Sequence, residues 1–378
     1  MRIAIDARPL TGRYTGDRTY WRGLIRALLQ LDLPHEFLLY TRLPLPEDEL
    51  PPAPNVILRT LPAPNDRIWA LRVLPRAVRE DRATVLHVQY TAPPFCPCPV
   101  VTSVHDISFR LFPHWFPLKH RLLLNLTVPV SMRRAARVIA ISESSRRDIL
   151  RTYRIPPEKV IATPLGLPEG YGMELSPGAA HRQVAERLGI SVPFLLAVGV
   201  IQPRKNLPLL AEAFGCLKRR ARIPHVLVFA GKMGWGSGQK ALRAAAERKG
   251  GTEAAEALVF PGYVPDTDLP VLYQACAAFA FPSLYEGFGF PPLEALACGA
   301  PVVASSAPAM PEVLGDAALL ISPHDSMAWT DALHRVLTDT DLQQELRTRG
   351  PMRAAMFSWE QTARATLQVY QEAAACPK

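Results

Sequence analysis

Two glutamates mark the stretch of the chain best suited to chemistry. Glu286 and Glu294 lie in SLYEGFGFPPLEALACGAPVVAS (283–305), with two glycines and two prolines between them. Pro291 and Pro292 suit the first turn of a helix, and Gly299 suits its end. Glu294 is therefore expected in the first helical turn, where the helix dipole stabilises a carboxylate, so a purely structural role stays open for it.

Glu286 is expected in the loop ahead of that helix. Gly287 and Gly289 flank Phe288, so backbone N–H groups there are open to close approach by a ligand. A carboxylate is a good two-point acceptor for vicinal sugar hydroxyls. The loop predicts a ligand site, and a capped helix beside a surface acid is the alternative.

A basic pair occurs in a second loop, VGVIQPRKNLPLL. Gly199 ends a predicted strand, and Arg204 and Lys205 come directly before a helix that is expected to start near Asn206. Two cations and a helix N-terminus suit a phosphate or diphosphate. A solvated basic pair is the other interpretation.

Two further loops are rich in glycine. GKMGWGSG (231–238) follows a predicted strand and brings Gly231 and Lys232 to its end, although it could equally be a flexible connection. DARPLTGRYTGDRTYWRG follows the first strand and brings Gly12 and Gly16 before a helix. Gly-x-x-x-Gly alone is a weak signal, and neither common phosphate-binding glycine motif is present.

His105 and Asp106 follow the predicted strand PVVTSVHD. A histidine at a strand end beside an acid can act at a site, or it can be a satisfied structural group. The DTD triplets at 266–268 and 339–341 resemble a metal-binding Asp-x-Asp, but both lie where helix N-caps are expected. We interpret them as caps and expect no metal.

The elements that must position these loops alternate between apolar strands and amphipathic helices. This alternation is typical of parallel sheets with helical crossovers. A segment rich in Pro and Gly follows Leu167 and separates two such series. The predicted fold is α/β, with two doubly wound Rossmann-like domains facing each other across a cleft. The strands are expected at 2–6, 36–41, 55–60, 84–90, 99–106, 137–142, 159–164, 194–199, 225–231, 257–263, 277–283, 301–305 and 317–322.

Composition and charge narrow the class of protein. The 378 residues include 48% hydrophobic and 20% charged residues, as in a globular protein with large cores. Residues 1–175 carry 24 Lys and Arg against 16 Asp and Glu, whereas residues 176–378 carry 19 against 18. The excess is dispersed and no nucleic-acid-binding motif is present, so a phosphorylated acceptor or an anionic membrane surface is expected instead of nucleic acid. A generic Arg-rich surface is the alternative.

The motifs together resemble the retaining glycosyltransferases of family 4, which have the GT-B fold. The strongest match is 282–323, which contains the Glu-x7-Glu element of that family. Other matches follow in the family's order and span nearly the whole chain: SVHDISFRLFPHWFPLKHR (103–121), RRAARVIAISESSRRDIL (133–150), VGVIQPRKNLPLLAEAF (198–214), FAGKMGWG (229–236), FPGYVPDTDLPVLYQAC (260–276) and FSWEQTA (357–363).

The resemblance implies roles for individual residues. Glu294 would accept the ribose hydroxyls of a nucleotide, and Glu286 the hydroxyls of the transferred sugar. Arg204 and Lys205 would neutralise the diphosphate, and His105 would lie over the sugar. The implied catalytic residues are His105, Glu286, Arg204 and Lys205. The implied donor-binding residues are Gly12, Gly16, Gly199, Arg204, Lys205, Gly231, Lys232, Tyr263 and Val264 near the base, Glu286, Gly287, Phe288, Gly289, Phe290 and Glu294.

The implied function is metal-independent, retaining transfer of a hexose-type sugar from GDP-mannose or a UDP-sugar to a glycan or lipid-linked acceptor. It requires no cofactor beyond the nucleotide-sugar donor. The alternatives are a GT-B sugar-nucleotide epimerase or phosphorylase, and a nucleotide-binding protein with weak or no transferase activity. The last follows from one departure: the chain reads TGDRTY, with Asp17 and Arg18 where the family usually has Ile and Gly.

Residues 1–168 are expected to form the acceptor-side domain and residues 177–357 the nucleotide-sugar domain, with the C-terminal helix 358–378 folding back onto the first. No signal peptide or spanning segment is recognisable, so a cytoplasmic protein is expected. The basic segment Phe109–Arg137 holds Phe112, Trp115 and Phe116 and predicts peripheral contact with the inner face of a membrane, a buried helix being the alternative.

Overall fold

The computed structural model describes residues 1–12, 16–172, 174–234, 236 and 238–376. The chain divides into two compact units, one of residues 1–166 with 357–378 and the other of residues 167–356. The predicted domain boundaries at 168 and 177 stay a prediction.

The first unit contains a seven-stranded parallel sheet. Each strand is a short apolar run, as expected for a sheet covered on both faces. The strand order is β3-β2-β1-β4-β5-β6-β7. The strands are β1 (Arg2–Asp6), β2 (Glu36–Thr41), β3 (Val56–Thr60), β4 (Val85–Gln89), β5 (Val100–Val104), β6 (Arg137–Ala140) and β7 (Val160–Ala162).

Helices connect these strands, and a short π-helical stretch, Trp69–Val73, joins two consecutive helices between β3 and β4. One apolar cluster of the core lies around Trp69 and another around Phe109. The helices are α1 (Gly16–Gln30), α2 (Asp66–Ile68), α3 (Leu74–Glu80), α4 (Ser108–Leu111), α5 (Leu118–Arg134) and α6 (Glu143–Tyr153).

The last helix, α15 (Trp359–Ala375), belongs to the first unit and packs on α1. A Cβ on Gly23 of α1 would lie 2.1 Å from the Trp359 ring, so only glycine leaves room for the indole. The Tyr370 hydroxyl lies 2.6 Å from Nδ1 of buried His87 on β4. The end of the chain therefore completes the core of this unit.

The second unit repeats the architecture with a six-stranded parallel sheet. Its order is β10-β9-β8-β11-β12-β13, the doubly wound arrangement. The strands are β8 (Phe194–Val198), β9 (Val226–Ala230), β10 (Leu258–Gly262), β11 (Ala278–Phe281), β12 (Val302–Ser305) and β13 (Ala318–Ile321). All thirteen predicted strands are confirmed, with ends shifted by a few residues.

The helices of the second unit cover both faces of this sheet and enclose an apolar core that includes Phe214, Phe229 and Trp329. They are α7 (Pro177–Leu188), α8 (Leu207–Ala221), α9 (Gln239–Glu256), α10 (Leu269–Ala275), α11 (Phe290–Ala297), α12 (Met310–Leu314), α13 (Ser326–Thr338) and α14 (Thr340–Ala354). Among the helices of the described ranges, none is long and apolar enough to cross a membrane.

Candidate functional site

The candidate residues of both units follow the carboxyl ends of strands, and three of them in the second unit lie where the strand order reverses. In doubly wound sheets ligands bind beyond the carboxyl ends of the strands at this point. In the second unit the neighbouring strands are β8 and β11. Arg204 and Lys205 follow β8, and Glu286 follows β11, so the sheet brings these loops together.

Arg204 and Lys205 end a 3₁₀ turn, Pro203–Lys205, directly before α8. The turn presents Lys205 inward, where it is 8% exposed, and its Nζ lies 4.5 Å from the centre of the Phe281 ring. Lys205 also lines a small cavity with Gly199, Phe229, Ala280 and Phe281. The loop therefore holds one cation in an apolar setting beside the ends of β8 and β11.

Glu286 is buried and ion-paired to both cations. Lys205 Nζ donates to Oε1 at 2.8 Å, and Arg204 Nη1 lies 3.4 Å from Oε2. Burial acts to raise the pKa of Glu286, but the charges of Arg204 and Lys205 outweigh it and lower that pKa. Burial in turn lowers the pKa of the Lys205 ammonium. The cations predicted to hold a diphosphate are thus already occupied by Glu286.

Glu294 lies in a different electrostatic environment. Burial raises its pKa to about 7, and the negative charge of Asp266 acts in the same direction. The Tyr273 hydroxyl donates to Oε2 at 3.0 Å, and Tyr171 also bonds to the carboxyl, which partly offsets the rise. Near neutral pH this carboxyl therefore changes its charge, unlike Glu286.

The predicted position of Glu294 in the first helical turn is wrong. The helix α11 begins at Phe290 with prolines at its start, so Glu294 is its fifth residue. The first turn of this helix contains no acidic residue. A carboxylate in the second turn gains little from the helix dipole, which falls off within one turn. The dipole therefore does not explain why an acid is buried here.

Glycines shape the loops around these side chains. Gly231 has φ +152°, and a Cβ there would lie 2.0 Å from the Gly199 carbonyl oxygen, so the loops after β8 and β9 touch backbone to backbone. Gly289 has φ +103° and directly precedes α11. In the same loop as Gly287, Phe288 is buried and its ring meets that of Phe290 edge to face at 5.7 Å.

The remaining predicted donor-binding residues lie on the loops after β9 and β10. Lys232 Nζ lies 4.4 Å from the centre of the Tyr263 ring, a cation–π contact, and Tyr263 is half exposed. The neighbouring Val264 is buried. The other part of the predicted glycine-rich loop includes Trp235 and Ser237, which lie outside the described residues.

Asp268 and Asp339 of the two triplets occupy the predicted N-cap positions, but their side chains act differently. Asp339 accepts a hydrogen bond from the Leu342 amide at 2.9 Å, as a cap should. Asp268 precedes α10 without a side-chain cap bond and instead pairs with Arg187 at 2.6 Å. No group of three or more His, Cys, Asp or Glu side chains that could hold a metal ion occurs in the part of the chain that the structure describes.

His105 follows β5 in the first unit and is 8% exposed. Its Nδ1 lies 3.2 Å from Oδ1 of Asp17 on α1. Gln89, the last residue of β4, donates through Nε2 to the same Asp17 oxygen at 2.7 Å and accepts from Trp21 Nε1 at 2.8 Å. His105 therefore belongs to a hydrogen-bonded group made by three neighbouring elements.

The first loop is described only at its ends. Gly12 ends a 3₁₀ turn after β1, Gly16 starts α1, and Arg13, Tyr14 and Thr15 between them lie outside the described residues. Arg18 is buried and its Nε donates to Glu49 at 3.2 Å. This buried ion pair accounts for Arg18, and it weakens the argument that the Arg18 side chain closes a binding site.

Sequence reasoning missed Tyr273, Tyr171, Gln89 and the role of Asp17. Gln89 could have been found from the sequence, because it is a polar residue at the end of an apolar strand, as is His105. Tyr273 lies on an apolar helix, where nothing in its spacing marks it as the partner of a carboxylate 21 residues away. Its role depends on tertiary packing alone.

Two parallel, doubly wound sheets with these loops at their strand ends define the GT-B class. A solved structure with the same fold is the Anabaena protein Alr3699/HepE in complex with UDP and glucose, with a TM-score of 0.72, 18% identity and coverage of 98% of this chain and 99% of that one. Residues 185–353 match the model of the glycosyl transferases group 1, and residues 14–169 match that of glycosyltransferase family 4.

Curated relatives agree with these matches. An O-antigen chain mannosyltransferase B of Escherichia coli is 34% identical over 72% of this chain and 70% of its own length. The serotype-specific mannosyltransferase WbdA of E. coli is 31% identical over 62% of this chain, which spans only 28% of WbdA. The chain belongs to glycosyltransferase family 4 and is a glycosyltransferase, as its sequence predicts.

Proposed function

We propose that this glycosyltransferase transfers a hexose-type sugar, with retention and without a metal ion, from a nucleoside diphosphate sugar to a glycan or lipid-linked acceptor. GDP-mannose is the first donor to test, because the mannosyltransferase B relative is 34% identical, and UDP-sugars are the second. The observation that carries the proposal is the meeting of Arg204, Lys205 and Glu286 beyond β8 and β11.

The charges at this point suit the bond that must break. Cleavage of the anomeric C–O bond leaves negative charge on the departing diphosphate and positive charge on the sugar ring. Arg204 and Lys205 would stabilise the diphosphate, and Glu286 would hold the hydroxyls of the sugar. Once a diphosphate shares these cations, the hold of Lys205 on Glu286 weakens and a carboxylate oxygen becomes available to the sugar.

Glu294 would accept the two ribose hydroxyls. It already accepts a hydrogen bond from the Tyr273 hydroxyl at 3.0 Å, so its pocket is built to present donors to a carboxylate. The new C–O bond would form as the old one breaks, with the acceptor's proton passing to the leaving diphosphate oxygen. Retention then needs no protein nucleophile, and no carboxylate role beyond those of Glu286 and Glu294 is invoked.

The experiment is transfer with GDP-mannose and a panel of UDP-sugars, with and without EDTA, and NMR analysis of the anomeric configuration. We expect a product that keeps the donor's configuration and a rate that EDTA does not change. Inversion or loss of activity with EDTA would contradict the proposal. Sugar phosphate release that depends on inorganic phosphate would indicate a phosphorylase instead, and binding of nucleoside diphosphates without turnover a silent nucleotide-binding protein.

We further propose that the first unit contacts an anionic membrane surface through α5. The aromatic residues named from the sequence are not the exposed ones, because Trp115 is buried and Phe112 stacks on it at 4.2 Å. The helix α5 instead exposes a row of apolar side chains with Lys119, Arg133 and Arg134 near its ends. That row consists of Leu118, Leu122, Leu123, Leu126 and Val130.

Exposed leucines flanked by cations suit an interfacial helix. Sedimentation with phosphatidylglycerol vesicles should carry the protein down at low salt and less at high salt. The double substitution Leu122→Ser with Leu126→Ser should abolish this, whereas Leu43→Ser, at another exposed leucine, should not. Equal sedimentation of all three proteins would rule out α5 as the contact.

A further inference from the structure

The donors and acceptors around His105 determine which of its ring nitrogens carries the proton. Trp21 Nε1 can only donate, so the Gln89 oxygen faces it at 2.8 Å and the Gln89 amide nitrogen faces Asp17. An ionised Asp17 can only accept. His105 Nδ1 lies 3.2 Å from the same Asp17 oxygen and 3.4 Å from Gln89 Nε2. The shorter contact is to an oxygen that can only accept, which assigns the hydrogen to Nδ1.

The other ring nitrogen is left as an acceptor. His105 Nε2 is buried and has no hydrogen-bond partner within the residues that the structure describes. A buried polar atom without a partner costs about 1–3 kcal/mol, so it needs an explanation. A hydroxyl group, which can donate a hydrogen bond to a neutral imidazole nitrogen, fits this position.

We propose that Asp17 is a positioning residue that fixes His105 with its proton on Nδ1, so that Nε2 accepts a hydrogen bond from a hydroxyl group of a sugar substrate. The inference rests on the proposed function for the identity of that hydroxyl. It deepens that function by giving a role to a residue at which this chain departs from the usual family pattern.

The arrangement around Asp17 supports this role. Partial burial acts to raise the pKa of Asp17, but its contacts with His105 and Gln89 outweigh this effect, so the pKa is lowered. His105 is held from other sides as well. The Tyr20 ring meets the imidazole edge to face at 4.7 Å, and the backbone carbonyl of His105 accepts a hydrogen bond from Ser145 Oγ at 2.7 Å. Asp17 thus sets the proton position of a ring that its other neighbours already hold in place.

The test uses the full chain labelled with ¹⁵N-histidine. Long-range ¹H–¹⁵N spectra report the proton position of each of the nine histidines, and loss of one set of signals in His105→Gln assigns His105. At neutral imidazole we expect the proton on Nδ1 in the natural sequence. Asp17→Asn, which is isosteric and can offer an N–H to Nδ1, should move it to Nε2.

Measurements of donor binding and of turnover complete the test. A saturating sugar donor should shift the Nε2 signal of the natural protein but not that of Asp17→Asn, and turnover of the variant should fall about tenfold, the cost of one well-placed hydrogen bond. The KM for the donor should change less than kcat. Asp32→Asn, beyond the other end of α1, should match the natural protein in every measurement.

A proton on Nε2 in the natural protein, or the same proton position in Asp17→Asn, would overturn the inference. So would an unchanged Nε2 signal on donor binding. Failure of the proposed function would look different: no donor would yield transferred sugar, while the proton position in the natural protein and the variant would still differ.

Discussion

Glu286 and Glu294 lie on one continuous stretch of chain, yet their surroundings are opposite. Glu286 is paired with two cations, which lower its pKa, whereas Glu294 is surrounded by tyrosine hydroxyls and the charge of Asp266, and burial raises its pKa to about 7. The two cations that hold Glu286 can pair with another anion instead. A carboxylate with only hydroxyl donors is suited to further hydroxyls.

The spacing of two acids therefore does not define their chemistry. A pair of carboxylates could suggest general acid and base catalysis. Here one is held charged and the other has a raised pKa, and the different groups around them fit the proposal that they bind two parts of one ligand. Four substitutions test this contrast.

Arg204→Ala should have the largest effect on turnover. The guanidinium lies 3.4 Å from Glu286 and would stabilise the developing charge of the diphosphate, so its loss should lower kcat by about 10²–10³. Steady-state kinetics with the active donor measures this. Arg220→Ala, which removes an exposed arginine paired with Asp331 in the same unit, should leave kcat unchanged.

Glu286→Gln should separate turnover from product affinity. Loss of a charged hydrogen bond to the sugar should lower kcat by about tenfold to a hundredfold. Affinity for the nucleoside diphosphate alone should stay the same or rise, because Lys205 and Arg204 no longer share their charge with Glu286. Calorimetric titration with GDP and UDP measures the second quantity, and a parallel loss of affinity would contradict the assignment.

Glu294→Gln should change how stability depends on pH. The pKa of Glu294 is about 7 against an ordinary value of 4.5, so ionising it in the folded state costs free energy that grows as pH rises from 4.5 through 7. Relative to the natural protein, the variant should gain up to roughly 3 kcal/mol of stability between pH 5 and pH 8.

Thermal unfolding of both proteins at several pH values in this range checks the result. The gain should appear only as the pH rises toward 8, because below 4.5 both proteins carry an uncharged group at this position. Glu345→Gln, an exposed acid of the same unit, is the matched control and should show no such trend. A gain of Glu294→Gln that is largest at pH 5 would reverse the sign and refute the burial argument.

Tyr273→Phe should have the smallest effect. It removes one of the hydroxyl donors to Glu294, which destabilises that pocket by about 0.5–1.5 kcal/mol. Donor affinity at pH 7 should weaken by a few fold, with the pH at which Glu294 ionises moved upward. Titration of donor affinity against pH measures both, and an effect as large as that of Arg204→Ala would mean that Tyr273 contacts the ligand itself.

Much of the fold could be predicted because each strand is a short apolar run between helical segments, as in FLLAVG and PVVAS. The loops at the strand ends, with Arg204, Glu286 and His105, followed from the same periodicity. The pairing of Asp17 with His105 could not, because it joins residues 88 positions apart in sequence through the packing of α1 on the sheet. The environment of Glu294 likewise depends on where Tyr273 and Tyr171 pack.

The predicted start of α11 shows on a smaller scale that the sequence does not determine the surroundings of a side chain. Pro291 and Pro292 correctly marked its first turn, but the helix begins one residue earlier, at Phe290. This shift moves Glu294 from the first turn, where the helix dipole acts, into the second. A shift of this size matters little for the fold. It changes the physical reason for the acid, from a favoured helix terminus to a buried group that needs its own partners.

The most direct test of the account is calorimetric titration of Arg204→Ala and Glu294→Ala with a matched set of ligands: the nucleoside, its diphosphate and the 2′,3′-dideoxynucleoside diphosphate. Arg204→Ala should weaken binding of both diphosphates and leave the nucleoside unaffected. Glu294→Ala should weaken the nucleoside and its diphosphate and leave the dideoxy ligand unaffected. Equal losses for all three ligands in both variants would contradict the assignment of the two groups to the two parts of one nucleotide.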